Sequence, residues 1–429
     1  MAEKQPTKTV KHDNNIEMNL AEAFGGKKSD KKTWDKKSLT FLIVGICGLV
    51  GGVVCLLVGF FVINKIANET SFSQVGKKDE VDVVYSDLTG EPLADATLKT
   101  APAYCIQTPN GTDGARPQAG LTQAGVVFEA IAEAGITRFA AIYQDPTSAV
   151  IGPIRSLRIY YLQWDTPFDC TIVHAGGAAD ALQAVAAGGY KDLSENYTYM
   201  YRGTYGVRLW NNLFTTAAYL KQYSMDYGYD TSEINGFARM TPEESNAARV
   251  DALAAEKLDI VRPANGDTSA LIDTVNSIDL NYASSANFNV HYDYNTETNT
   301  YLRSYASGKA HEVYECDAVD LGEKNPEDVC SLTQLNPAVV VAMIVKERRA
   351  SDNYHEDITT IGTGDAYIFQ NGIVIKGTWA KGDINQQIKF FDENGELYLY
   401  FCRHMSNKNP GGHNIWGVKM QDMVTPDWT

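Results

Sequence analysis

The sequence predicts an α+β protein: an N-terminal α/β domain followed by a β-rich C-terminal domain, preceded by one transmembrane helix. Three observations carry this expectation. A short apolar strand, a glycine turn and an alanine-rich helix follow one another between Asp169 and Ala187, the order that signals a parallel α/β arrangement. From Phe288 onward, short alternating runs are separated by turn residues, with Asn371-Gly372 and Asn394-Gly395 among them, and Asn-Gly is the strongest short-range hairpin signal. Leu39–Ile63 is a run of 25 residues without a charge, where about 20 apolar residues suffice to cross a bilayer as a helix.

The apolar run is expected to be an uncleaved anchor. A secretory signal has a shorter apolar core and a small-residue cleavage site, whereas this run ends in Asn64-Lys65. Cys47 and Cys55 inside it lack a lipoprotein-signal context. Six lysines at 27, 28, 31, 32, 36 and 37 precede the span and only Lys65 immediately follows it, so the positive-inside rule places residues 1–38 in the cytoplasm and the rest outside. Residues 1–65 carry ten Lys against six Asp or Glu; the whole chain is −16, which leaves about −20 for the remainder. Such an acidic exterior excludes nucleic acid as a partner, because phosphates demand a positive surface.

In order, residues 1–38 read as a disordered tail, 39–63 as the membrane span and 64–100 as a polar stalk with at most a strand at Val81–Tyr85. The α/β domain is expected at 101–265. It opens with a strand at Ala103–Gln107. Val126–Ala132 and Ile136–Tyr143 are two apolar runs split by Glu133-Ala134-Gly135, either two strands or a helix and a strand. Behind Gly152-Pro153 a helix is expected over Ile154–Gln163. A strand over Asp169–His174 follows, then the Gly176-Gly177 turn and a helix over Ala178–Ala187. Further helices are expected over Asn212–Tyr223 and Glu243–Glu256. The β-rich domain at 280–425 holds a hairpin of Phe288–Tyr294 with Tyr301–Tyr305 and a strand at Pro337–Val345. It continues with hairpins across 370–372 and 394–395 and a last strand at Ile415–Met420.

Five cysteines lie beyond the span, where disulfides are permitted. Cys316 and Cys330 bracket a polar loop and are the first candidate pair. Cys105 with Cys170 is a second, and one cysteine is left over. No Cys-x-x-Cys occurs, and His291, His311, His355, His404 and His413 show no metal-ligand spacing. Neither a metal nor a cofactor is expected.

The chemistry concentrates between Ile151 and Leu182. Arg155 and Arg158, at i and i+3 on the opening turn of the expected helix, share a face. Their guanidiniums fork onto carboxylates or phosphates, unless they pair with Glu129, Glu133 or Asp169 in a structural network. His174 ends a strand just before Gly176-Gly177, on the side of an α/β sheet where ligands bind; a satisfied structural histidine is the alternative. Glu129 and Glu133 share a face at a spacing of four and are candidates for an acid/base pair of the kind glycoside hydrolases use. Tyr197, Tyr199, Tyr201, Tyr205 and Trp210 form either a sugar-stacking wall or an interfacial core. No Gly-x-Ser-x-Gly, His-Glu-x-x-His, Walker loop or Ser-x-x-Lys is present.

Four motifs occur in order: Ala115-Arg-Pro-Gln-Ala-Gly120, Glu133-Ala-Gly-Ile-Thr-Arg-Phe139, Ile151-Gly-Pro-Ile-Arg-Ser-Leu-Arg158 and Val173-His-Ala-Gly-Gly177. Later come Tyr301-Leu-Arg-Ser304, Ile373-Val-Ile-Lys-Gly-Thr-Trp379 and Phe390-Phe-Asp-Glu-Asn-Gly395. From about Ala103 to Lys419 the chain resembles the YerB-like family of bacterial envelope proteins. The resemblance implies an exported protein in two parts with no established reaction. Family members are typically lipoproteins, whereas this chain carries an apolar span. Where the family tends to have a His-Asn pair before its Leu-aromatic-Thr motif, this chain has Asn211-Asn212-Leu213-Phe214-Thr215.

These readings converge on a membrane-anchored exterior module that binds an anionic or glycan ligand of the cell envelope. Its expected ligand-binding residues are Arg116, Arg138, Arg155, Arg158, His174, Gly176, Gly177 and Asn212. The rival is a cell-wall glycan hydrolase or lyase using Glu129, Glu133 or His174, and a third reading is a non-catalytic scaffold for another envelope protein.

Overall fold

In the computed structural model, residues 83–203, 211–239, 273–282, 285–316, 330–395, 397 and 415–420 are described, with 273–274 and 415–420 described by backbone alone. All belong to one of the two units into which the chain divides, Asp82–Thr429. The anchor expected at 39–63 and the helix expected over Glu243–Glu256 lie outside the described residues. No helix among the described residues is long and apolar enough to cross a membrane.

The two runs around Glu133-Ala134-Gly135 are both strands. β1 (Ala103–Pro109), β2 (Val126–Glu133) and β3 (Ile136–Gln144) lie antiparallel in the order β2-β3-β1. They are covered on both faces, so their sequences read as continuous apolar runs. Ala134 and Gly135 both take positive φ, 50° and 76°, the two-residue turn that suits the twist of a hairpin. Between Ile131 and Glu133 the β2–β3 register shifts. This bulge matters below, because an extra residue reverses which face the next side chain occupies.

The expected helix over Ile154–Gln163 is shorter and later: α1 spans Ile159–Asp165 and Arg158 is its N-cap. The residues before it are extended, because their backbone finds partners in distant segments. Ile154 N–H donates to Leu213 O, Arg155 N–H to Gln107 O and Leu157 N–H to Gly176 O. Beyond α1, β4 (Thr171–Val173) runs parallel to β1. The chain returns through α2 (Ala179–Ala186) to β5 (Lys191–Leu193), parallel to β4. The helix expected from Asn212 instead begins at Ala217 (α3, Ala217–Tyr227), where Thr216 caps it by accepting from Tyr219 N–H. Leu213–Phe214 is a short strand paired with Tyr201–Arg202.

In the second part, β6 (Ser277–Leu280), β7 (Val290–Asn295) and β8 (Thr300–Tyr305) form a separate antiparallel sheet. β9 (Val339–Ile344) is followed by a small hairpin of β10 (Glu347–Arg349) and β11 (Glu356–Ile358). The β12 (Gly362–Gln370) and β13 (Ile373–Lys381) hairpin turns at Asn371 and Gly372, with φ of 57° and 75°. β14 (Lys389–Asp392) pairs with β13.

One strand joins the two parts. β15 (Ile415–Met420) lies parallel to β9 on one side and to β2 on the other. The result is an 11-stranded sheet in the order β14-β13-β12-β9-β15-β2-β3-β1-β4-β5, with Asp273–Thr274 also paired to β13. Its core crosses the join: Cys105, Phe128, Trp164, Val341, Ile368 and Trp379 belong to one cluster. On the opposite face, Val340 and Ala342 pack with the β6–β8 sheet, while Ile106, Val127 and Ala141 pack with α3 and the segment at 151–154. The described protein is thus mostly β, with three short helices.

Candidate functional site

The site is built on the extended segment at 151–158, held between β1, the Gly176 turn and Leu213 by the hydrogen bonds above. Gly152 has a φ of 143°, and a Cβ there would stand 2.9 Å from the Phe214 ring, so only glycine fits. Because the segment is extended, Arg155 and Arg158 do not share a helical face as the sequence predicted.

Arg158 turns inward to Glu133. Its Nη2 donates to Glu133 Oε2 at 2.6 Å, and Arg138 Nη2 donates to Glu133 Oε1. Both arginine side chains are 5 % exposed. Arg138 Nη1 also donates to Ser156 O at 3.0 Å and Arg158 Nη1 to Leu157 O at 3.0 Å. Burial, with Arg158 beside it, lowers the Arg138 pKa to about 10. Two buried guanidiniums around one carboxylate leave an excess of positive charge. Arg155 stands next to them, half-buried, and its guanidinium makes no hydrogen bond or ion pair among the described residues. Burial lowers its pKa; Glu133 opposes that shift and Arg158 adds to it, with smaller opposing effects from Asp113, which raises it, and Arg202, which lowers it.

Glu129 lies elsewhere. Because of the bulge, it occupies the opposite face of β2 from Glu133, so the expected shared face is not formed and the two carboxylates have no common partner. Glu129 forms an ion pair with Arg303 at 2.9 Å, with neither side chain exposed. It also accepts from Tyr282 Oη at 3.2 Å and Asn110 Nδ2 at 3.3 Å. Arg303 donates through Nε to His311 Nδ1 at 2.9 Å and through Nη1 to Tyr292 Oη at 2.5 Å. The proton of His311 is therefore on Nε2, which faces Gln118 Oε1 at 3.0 Å. Burial is the largest influence and opposes the charge on Arg303, but Glu129 together with Tyr292, Tyr282 and Tyr305 outweighs it and holds the guanidinium pKa above its usual range. Burial and the neighbouring Arg303 and Arg116 push His311 well below the usual imidazole value. Sequence reasoning missed this network. Arg303 lay in a recognised motif, but nothing local names a partner 174 positions away.

The other candidates are dispersed. Arg116 donates to Asn110 Oδ1 at 2.8 Å and to Asn287 O at 2.9 Å, and its guanidinium lies 4.0 Å from the Tyr305 ring centroid, a cation–π geometry. His174 faces Gly176 O at 2.8 Å through Nδ1 and Asp192 Oδ1 at 2.9 Å through Nε2. Gly176 is exposed with φ 66° and open space where a Cβ would stand, while Gly177 is packed against Leu182 and Leu157 O. Asn212 donates to Gly203 O and accepts from Arg202 Nη1, both at 3.0 Å. Tyr205 and Trp210 lie outside the described residues. The disulfides Cys105–Cys170 and Cys316–Cys330 brace β1 against β4 and close the 316–330 loop. Among the described residues, no group of three or more His, Cys, Asp or Glu side chains is arranged to hold a metal.

The predicted residues therefore divide. Arg138, Arg155 and Arg158 gather around Glu133. Glu129 and Arg116 belong to the Arg303 network, and His174 is tied to Asp192. Only the first group includes an arginine without a partner, and cationic forks of this kind bind carboxylates and phosphates.

Residues 88–230 match the family described as "Protein of unknown function (DUF3048) N-terminal domain". Residues 278–400 match its C-terminal domain. The chain is 26 % identical over 304 residues to "Putative lipoprotein YerB" of Bacillus subtilis (strain 168), covering 70 % of this chain and 79 % of that protein. A crystal structure of YerB from Bacillus subtilis superposes with a TM-score of 0.59 at 20 % identity, over 79 % of this chain and 97 % of the other. With matches to both family parts, in order, the chain belongs to the YerB-like family of two-part proteins of unknown function.

Proposed function

We propose that this protein is an accessory module of the cell envelope, anchored through residues 39–63 with its N-terminus in the cytoplasm, and that it binds an anionic ligand at Arg155. The naming of its relative as a lipoprotein supports a membrane-associated, extracytoplasmic placement. The single observation that carries the binding role is a half-buried guanidinium without a partner, beside the positive excess of Arg138 and Arg158 over Glu133. Arg155 N–H is already used by Gln107 O, which fixes the backbone and leaves the side chain free to meet a carboxylate or phosphate of a wall polymer. The hydrolase reading gains nothing from the geometry. Glu129 is enclosed by Arg303 and Tyr282, and Glu133 is held by two arginines, so neither carboxylate is placed to exchange a proton with a glycan.

The test is binding of the full-length protein in detergent to carboxylate-bearing peptidoglycan fragments and to a polyphosphate polymer. A charge-assisted contact contributes about 1.5–3 kcal/mol, so Arg155→Ala should weaken binding by about 10- to 100-fold. Arg155→Lys should recover only part of this, because lysine lacks the fork. The melting temperature should stay within about 2 °C, since no intramolecular contact is lost. Wild-type affinity in Arg155→Ala for every anion that binds refutes the proposal.

A further inference from the structure

A cleft about 550 Å³ in volume lies between the start of α2 and the β10–β11 hairpin. Its lining includes Arg158, Tyr160 and Asp180 on one side and Arg349 and Glu356 on the other; Arg155 does not take part. The volume falls within the range of about 300–1,000 Å³ usual for small-molecule sites.

Some charges around this cleft are already paired. Arg348 pairs with Asp357 at 2.7 Å and His355 with Asp352 at 2.6 Å. Asp180 accepts from Ala181 N–H at 2.8 Å. Asp180 thus has no cationic partner among the described residues, and two further charges are unpaired on the hairpin. Arg349 and Glu356 sit directly opposite each other on β10 and β11, where opposite charges ordinarily pair, yet no ion pair joins them among the described residues. Arg349 uses Nη1 on Asn353 O at 3.1 Å, and the Glu356 carboxylate makes no hydrogen bond or ion pair among the described residues. Opposed residues of a hairpin hold their Cβ atoms about 5 Å apart. A guanidinium and a carboxylate rising from such positions complement a ligand that carries its own anion and cation a few ångströms apart.

We infer that this cleft binds the head of an α-amino acid, with its carboxylate on Arg349 and its ammonium on Glu356. The inference is independent of the Arg155 site, because the two share neither of the charged groups that would make the contacts. The same head occurs in a free amino acid and at the end of a peptide branch whose α-amino and carboxylate groups are both free. The Arg349/Glu356 pair would read either.

Calorimetric titration of the full-length protein distinguishes these sources. The probes are alanine, a peptide ending in an ε-linked lysine (which keeps the α-amino acid head free), and the blocked forms N-acetylalanine and alaninamide. Alanine or the branched peptide should bind, and the tighter of the two identifies the source. Each blocked form should bind at least 10-fold more weakly, since each removes one charge. Arg349→Gln and Glu356→Gln should each lose at least 10-fold, and the exchange Arg349→Glu/Glu356→Arg should restore part of the affinity if the fold is intact. Arg155→Ala should leave this binding unchanged. Absence of binding by both unblocked probes, equal binding of the blocked forms, or wild-type affinity in both single variants overturns the inference.

Discussion

Glu129→Gln should be among the most destabilising single substitutions in this protein, and the structure says by how much. Gln preserves the shape, so no cavity opens. What is lost is the carboxylate that Arg303 meets at 2.9 Å, on a side chain that is 0 % exposed. The guanidinium keeps His311 Nδ1 and Tyr292 Oη as acceptors, but both are neutral. The Tyr292 hydroxyl, whose pKa burial raises to about 12, does not ionise near pH 7 to take over. Removing one partner of a buried ion pair leaves an uncompensated charge and costs about 3–5 kcal/mol, roughly two to three and a half powers of ten in the folding constant. Urea unfolding at pH 7 reads this directly through Trp164 and Trp379, both buried. Arg303→Gln should cost a similar amount. The double variant should fall short of the sum by about 0.5–3 kcal/mol, the coupling expected of contacting residues. A cost below about 1 kcal/mol for Glu129→Gln would refute the argument and return Glu129 to the list of groups with work other than architecture.

Two further outcomes follow from the same structure. Asp165 is fully buried at the end of α1, where Gln107 Nε2 donates to its Oδ2 at 3.0 Å while Asp165 Oδ1 and Gln107 Oε1 have no hydrogen-bond partner among the described residues. Burial raises its pKa well above the usual carboxylate value. The unfolded carboxyl ionises above about pH 4 while the folded one keeps its proton, so this residue lowers stability as pH rises. Asp165→Asn should therefore be more stable than wild type at pH 8, with the gap closing towards pH 4 in urea melts; a gap that does not change with pH contradicts this. The disulfides should differ in value by their loops. Cys105–Cys170 spans 65 positions and Cys316–Cys330 spans 14, so chain entropy assigns about 4 kcal/mol to the first and about 3 to the second. Paired Cys→Ser variants measured by denaturant unfolding should rank in that order.

Local chemistry was legible in the sequence where the determinants are local. Asn371-Gly372 announced its hairpin because both residues must take positive φ, and the strand–glycine–helix run from β4 to α2 could be read in the same way. The failures occur where the partner is remote. The residues 154–157 look helical by themselves, but their N–H groups are taken by Gln107, Leu213 and Gly176. Glu129 and Glu133 appear to share a face until the bulge at Ile131–Glu133 is counted. Arg155 and Arg158 stand out in the sequence as a concentration of charge, yet only the fold shows that Arg158 is consumed by Glu133 and Arg155 is not. The placement of Arg349 opposite Glu356 on a hairpin was invisible, since neither residue belongs to a motif.

The position of β15 has a consequence for the timing of assembly. The strand that sits between β2 and β9 is made of residues 415–420, which follow both of its neighbours in the chain. As the polypeptide leaves the ribosome, or threads through a membrane, its first half emerges with the β2 edge open and its second half with the β9 edge open, and neither can be closed by anything yet synthesised. Open edges recruit other strands. Completion thus waits for residues 415–420 to arrive, and neither part can close its share of the sheet before the other has been made.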